Sequence, residues 1–177
     1  MLNQTSQWYK LQYPECFVNE EHRMIQKLFA DFVDKEIMPV RHKIDDDITH
    51  DEIITPILKK LQVDIGCQAE MIPKDYGGNE TTMGMVGAAL KGEQLARGDW
   101  GICLHSACTN WALTPAALAY RFPSSPRAKA WGKAVLDEFA PKFLGKDLHV
   151  ACFNMAEPDS ACDIENHLRS IIVMPRY

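Results

Sequence analysis

The chain has 177 residues, with 19 Lys and Arg against 24 Asp and Glu, so its formal charge is −5. Hydrophobic residues make up 46% and charged residues 24%, the proportions of a soluble globular protein. They exclude a disordered tail, a collagen-like repeat and a strongly basic nucleic-acid binder. One domain is the expectation at this length, with room for a second, small or incomplete one, and such a chain buries roughly 70% of its unfolded surface without covalent staples.

Residues 1–18 lack any period and read as an extended arm. A first helix should start at Asn19, a suitable N-cap, with Glu20 and Glu21 at the positive end of the helix dipole. Ile25, Leu28, Phe29, Phe32, Val33 and Ile37 recur at helical spacing and predict one buried stripe, and Pro39 should kink or end the helix. The acidic run Asp45 to Asp47 leads into a second helix over about Asp51–Leu61, where Pro56 is tolerated only in the first turn. Pro73-Lys74-Asp75-Tyr76-Gly77-Gly78 is turn chemistry. A third helix, capped by Thr81 or Thr82, should reach Arg97, with Gly98-Asp99 marking its end. A fourth, Trp100–Arg121, is apolar on most sides and reads as a central core helix rather than a membrane span, since His105, Asn110 and Pro115 interrupt it. After the linker Phe122 to Pro126, Ser125 should cap a fifth helix with Ala128, Trp131, Val135, Leu136 and Phe139 inward, closed by Pro141. Leu148–Met155 and Ser170–Met174 are strand-like, with a polar loop between them. The expected architecture is mainly α: an N-terminal arm over 1–18, a helical domain over 19–147, and the first strands of an incomplete β-domain over 148–177.

The N-terminus has no basic start followed by an apolar run, so no secretory signal is expected. The six cysteines, Cys16, Cys67, Cys103, Cys108, Cys152 and Cys162, are therefore expected as free thiols in a reducing compartment. No Cys-x-x-Cys exists, and Cys103, His105 and Cys108 read as core packing, so no metal is expected. Gly132-Lys133 is followed by Ala134 inside a helix and Gly84 to Gly87 has no strand before it, which rejects a phosphate loop and a dinucleotide fingerprint. Glu93 and Arg97, spaced i, i+4, should form a solvated pair. Trp8, Trp100, Trp111 and Trp131 are expected in the core or at helix contacts.

The segment Phe153-Asn154-Met155-Ala156-Glu157-Pro158-Asp159-Ser160-Ala161-Cys162-Asp163 resembles the flavin-contacting strand of the acyl-CoA dehydrogenase family, usually Thr-Glu-Pro-x-x-Gly-Ser-Asp after an aromatic residue. Pro73 to Gly78 is similar to the family's Pro-x-x-Tyr-Gly-Gly turn. Glu93-Gln94-Leu95-Ala96-Arg97 is similar to its Glu-Glu-Leu-Ala-Arg segment, and Phe32 to Pro39 with Ile44-Asp45 to its first long helix. The resemblance covers roughly residues 18–165 and keeps these pieces in order.

The resemblance implies an FAD-dependent oxidoreductase that removes the α-proton and the β-hydride of an acyl-CoA thioester. It implies an acyl-CoA substrate, an electron-transfer flavoprotein or similar acceptor, and a homo-oligomer, in the cytoplasm or an organelle matrix. By the same resemblance Phe153, Met155, Ala156, Ala161 and Cys162 face the flavin, and Cys103, Leu104, Ala107 and Cys162 line the acyl site. Ala156 stands in place of the Thr whose hydroxyl holds the flavin, Ala161 in place of Gly and Cys162 in place of Ser; Cys162 reads equally as a semi-buried loop thiol. Complete family members continue into the rest of a β-domain and a C-terminal bundle carrying the catalytic glutamate. No base is assigned in this chain, which is expected to be an N-terminal portion inactive alone. The alternative is a non-catalytic helical interaction module that has lost flavin binding.

Overall fold

The computed structural model describes residues 17–47, 49, 52–79, 84–154 and 172–176, and of residues 150–154 and 172–176 it describes the backbone. The chain divides into two compact units, one over residues 1–60 and 81–104 and one over 61–80 and 105–177.

In the first unit, α1 (Glu20–Phe32) opens with a reciprocal cap. Asn19 Oδ1 accepts from the His22 amide at 2.8 Å, and the Asn19 amide donates to His22 Nδ1 at 3.3 Å. Histidine thus fills the role that Glu or Gln usually takes in a capping box. The helix then widens into a π turn over Val33–Ile37, closed by a bond from the Met38 amide to the Val33 carbonyl at 2.9 Å. Pro39 cannot donate an amide proton and its ring crowds the carbonyl four residues back; the chain leaves the α-helical pattern in the turn before it. After a 3₁₀ turn over Arg41–Asp46, Asp47 caps the short helix α2 (Ile54–Lys59), its Oδ2 accepting from the amides of Ile53 and Ile54, each at 2.9 Å. Pro56 sits within α2's first turn, as the sequence requires.

α3 (Gly84–Gly98) packs along α1; its expected caps, Thr81 and Thr82, lie outside the described residues. Phe29, Ala30, Phe32, Val33, Ile37, Leu90 and Leu95 are buried between these elements. The buried stripe of α1 differs from the expected one. Gln26 is buried at 1% exposure while Leu28 is 49% exposed. Positions 26, 29, 30, 33 and 37 form the face turned to α3, and Leu28 lies about 100° away from Phe29 around the helix.

In the second unit, α4 (Trp100–Arg121) supplies its residues from His105 onward, followed by α5 (Pro126–Phe143). Ala69, Ile72, Leu113, Ala140 and Phe143 form the core, with Tyr76, Val135 and Phe139 packed against it. Ser125 caps α5, its hydroxyl accepting from the Ala128 amide at 3.1 Å, with Pro126 as the first helical residue. α5 does not close at Pro141 but continues to Phe143. The reason is exposure: Pro141 and the residue four before it, Asp137, both face solvent, so the carbonyl that loses its partner is hydrated. Pro115 inside α4 obeys the same rule with exposed Trp111.

Three tryptophans lie outside the core, which overturns the core half of the expectation and not its helix-contact half: Trp100, Trp111 and Trp131 are 65%, 48% and 51% exposed, and Trp8 lies outside the described residues. In α5 the inward face is Gly132, Leu136, Ala140 and Phe143. It pivots on Gly132, where a β-carbon would come within 2.6 Å of the Ala116 carbonyl oxygen and 2.7 Å of the Tyr120 nitrogen. That close backbone approach turns Trp131 sideways. α4 likewise has one exposed side, so it is not buried all round. Two strands follow, β1 (Val150–Asn154) and β2 (Ile172–Arg176), antiparallel with Val150 opposite Arg176 and Asn154 opposite Ile172.

Candidate functional site

The turn over Pro73–Gly78 is built from a 3₁₀ helix, Lys74–Tyr76, and two glycines with separate duties. Gly77 adopts φ +83°, the left-handed region that favours glycine. At Gly78 a β-carbon would lie 2.1 Å from the Ile72 carbonyl oxygen. The turn is pinned to the helices by two tyrosines. Tyr76 donates its hydroxyl to Asp137 of α5 at 3.0 Å, and Tyr120 of α4 donates to Asp75. The two rings meet edge to face, with centroids 5.3 Å apart. Desolvation and the neighbouring Asp137 carboxylate push the Tyr76 hydroxyl up to about 12. Bonding to Asp75 raises Tyr120 as well, and the Lys133 ammonium holds Asp137 below the usual carboxylate range.

On α4, Cys103 is buried, and its thiol lies 3.4 Å from the Gly92 carbonyl of α3. Burial pushes this thiol up, and that of Cys108 too, the opposite of what a nucleophilic cysteine needs. Leu104 and Ala107 are partly exposed. With Trp111 and Leu118 they recur at helical spacing along one side of α4. Leu104 and Ala107 therefore share a face that a ligand can reach, whereas the Cys103 side chain is engaged with α3.

Arg97 does not form the expected solvated pair with Glu93. Its Nη1 contacts Asp34 Oδ1 at 2.8 Å, with side-chain exposures of 13% and 27%, and the same side chain reaches the Ala30 carbonyl and Gln94 Oε1. The spacing i, i+4 offers a neighbour, but helix packing placed a carboxylate from α1's π turn closer to hand.

Gln68 was not singled out by any motif. It is 3% exposed. Its Nε2 donates to the carbonyls of Phe143 at 2.9 Å and Asp147 at 3.2 Å, and its Oε1 accepts from the His149 amide at 3.3 Å. The His149 ring stacks on Phe143, centroids 5.2 Å apart. A lone glutamine between turn residues carries no periodic signal, so sequence patterning could not have found it.

Met155, Ala156, Ala161 and Cys162 lie outside the described residues, and of Phe153 only the backbone course is described. Among the described residues, no group of three or more His, Cys, Asp or Glu is placed to hold a metal ion, and no helix is long and apolar enough to cross a membrane. Among the described residues, Cys67, Cys103 and Cys108 are thiols outside any disulfide.

Comparison with known proteins adds to this geometry. Residues 19–131 match the family described as "Acyl-CoA dehydrogenase, N-terminal domain". Over 149 residues the chain is 23% identical to a glutaryl-CoA dehydrogenase of Desulfococcus multivorans, which covers 83% of this chain and 34% of that protein. The chain thus spans about a third of the length of the curated relative it matches. No solved structure matches it.

Proposed function

Because this chain belongs to the acyl-CoA dehydrogenase family through its N-terminal helical domain, we propose that it is the helical portion of an acyl-CoA dehydrogenase, turning Leu104 and Ala107 of α4 toward the acyl chain of a CoA thioester. The family match over residues 19–131 carries this reading. The accessible face of α4 at Leu104 and Ala107 supports it, with Cys103 fixing that stretch of the helix against α3. The whole-protein reaction is α,β-dehydrogenation, for which FAD, when bound, supplies the hydride acceptor, and electrons pass on to an electron-transfer flavoprotein or similar acceptor. Leu104 and Ala107 contribute an apolar wall that excludes water and orients the acyl chain. Homo-oligomer formation belongs to the same reading.

The side chains present do not fit a flavin held as the family holds it. Ala156 lacks the hydroxyl of the family's Thr, Ala161 adds a methyl where the family's Gly lets backbone approach closely, and Cys162 is a weaker donor than serine. No catalytic step of this chain is therefore built on the flavin. By itself the chain is expected to bind acyl-CoA without turnover. Purified chain, incubated with excess FAD and desalted, should be colourless in the visible spectrum and inactive with an acyl-CoA and an artificial electron acceptor. A retained flavin band or turnover would refute that expectation. Hydrogen exchange with and without glutaryl-CoA and a straight-chain acyl-CoA tests the wall: amides around Leu104–Trp111 should gain protection, and unchanged exchange with both ligands counts against the reading.

A second reading, a non-catalytic helical interaction module, is favoured by the substitutions Ala156, Ala161 and Cys162 in the flavin-contacting segment and by the exposed Trp111 and Leu118 of α4. Acyl-CoA separates the two: amides of α4 that gain protection with acyl-CoA favour the first reading, and a chain that runs above its monomer mass on size exclusion while its α4 amides ignore acyl-CoA favours the second.

A further inference from the structure

We propose that Gln68 is a positioning residue that fixes where the chain leaves α5 and enters the strand beginning at Val150. The inference goes beyond the acyl-CoA reading and holds whether or not that reading does.

The geometry has three parts. First, the last carbonyls of any α-helix lack intrahelical donors and need a partner when they are buried. Phe143 is the final residue of α5 and is 1% exposed; Gln68 Nε2 supplies its carbonyl with a donor at 2.9 Å. Second, the other proton of the same amide group goes to the Asp147 carbonyl at 3.2 Å, four residues further on. Third, Oε1 of the same side chain takes the His149 amide at 3.3 Å. One buried amide side chain thus satisfies a helix end and two backbone groups of the connecting segment at once. Its own backbone sits on the 3₁₀ turn Cys67–Ala69, which packs against α5 and is closed by the bond from the Ala69 amide to the Gly66 carbonyl at 3.1 Å. The stacked rings of Phe143 and His149 close the junction from the other side. Only a primary amide offers two donors and one acceptor at this reach. The strand that starts one residue after His149 therefore takes its origin from a side chain some eighty positions earlier.

The test uses the full chain and two variants. Gln68→Met keeps the unbranched shape and removes all three bonds. Gln68→Glu keeps the acceptor for the His149 amide and sets a carboxylate against two carbonyl oxygens. Site-resolved hydrogen exchange is measured at His149–Asn154 and, as internal reference, in the buried stretches of α4 and α5. In Gln68→Met, exchange at His149–Asn154 should rise about tenfold or more, because the three hydrogen bonds of the junction are lost, while the α4 and α5 references stay protected. In Gln68→Glu the same loss should appear at neutral pH. It should reverse as the pH falls, because the protonated carboxyl donates again; neither the native chain nor Gln68→Met should show that dependence once intrinsic exchange rates are divided out. Unprotected amides at His149–Asn154 in the native chain would overturn the proposal. So would unchanged protection there in Gln68→Met, an equal loss across α4 and α5, or a Gln68→Glu profile flat in pH.

Discussion

The two units pack their helices closely through glycine, yet against different kinds of neighbour. In the first, a β-carbon at Gly98 of α3 would meet side chains: Val33 Cγ1 at 2.8 Å, then Ile37 Cγ2 and Cδ1 at 3.1 and 3.2 Å. In the second, Gly132 of α5 faces backbone, the Ala116 carbonyl and the Tyr120 nitrogen. A side chain can change rotamer at a cost, whereas a helix backbone moves only with the whole helix. The polar ties differ in the same sense. Arg97 and Asp34 are mostly buried, while Lys133 and Asp137, bonded at 2.6 Å, are 59% and 50% exposed.

The sharpest way to break this comparison is a pair of alanines. Gly132→Ala should cost about 3 kcal/mol or more, since overpacking usually costs about 1–3 kcal/mol and here the obstacle is backbone. Gly98→Ala should cost about 1–2 kcal/mol, part of the clash being offset by the better helix propensity of alanine. Denaturant unfolding of both variants measures the gap, and an equal or reversed order would remove the distinction between the units.

The next effect is electrostatic. Asp34→Ala leaves a mostly buried guanidinium without its carboxylate and should cost about 2 kcal/mol, whereas Lys133→Met, which breaks an exposed i, i+4 pair, should fall within about 0.5 kcal/mol of the native chain. A double-mutant cycle on Asp34 and Arg97 gives the coupling directly; a coupling near zero would make this pair equivalent to the surface one.

Smaller still are the caps. Asn19→Ala in the first unit and Ser125→Ala in the second should each cost about 1 kcal/mol. Asn19 should be the more costly, because its loss also leaves the Asn19 amide with no organised partner in His22.

The smallest expected effect is a titration. Tyr76 carries a hydroxyl pushed up to about 12 from an ordinary 10.0. A raised tyrosine favours the folded state in its neutral form, so the clamp is fully present below pH 10.0 and is lost as the pH rises toward about 12. Tyrosinate absorbance should show a late-titrating component that Tyr76→Phe reduces. The same late component in the variant would assign it to Tyr120 and leave the Tyr76–Asp137 bond without influence.

Much of the helical framework was readable from the residues. Trp100 and Arg121 bound α4 where the apolar run begins and ends, Ser125-Pro126 starts α5, and Asn19 starts α1, because caps and proline act within a few bonds of their own position. The candidate site was less legible. Leu104 and Ala107 could be placed on one helix side from spacing alone, but whether Cys103 joined them depended on α3 being beside it. Strand pairing between Val150–Asn154 and Ile172–Arg176 is likewise a matter of distant segments.

By itself the sequence determined the starts of α1, α4 and α5, the turn at Gly77-Gly78 and the family resemblance, all of which depend on residue types at short, fixed spacing. The tertiary structure decided which face of each helix is buried. It exchanged Leu28 for Gln26 and turned three tryptophans outward. It gave Arg97 to Asp34 instead of Glu93, and it set Gln68 at the junction of α5 and β1. These outcomes share one cause: hydrogen bonds and packing join residues far apart in the chain, and their energies depend on burial, which no local pattern specifies.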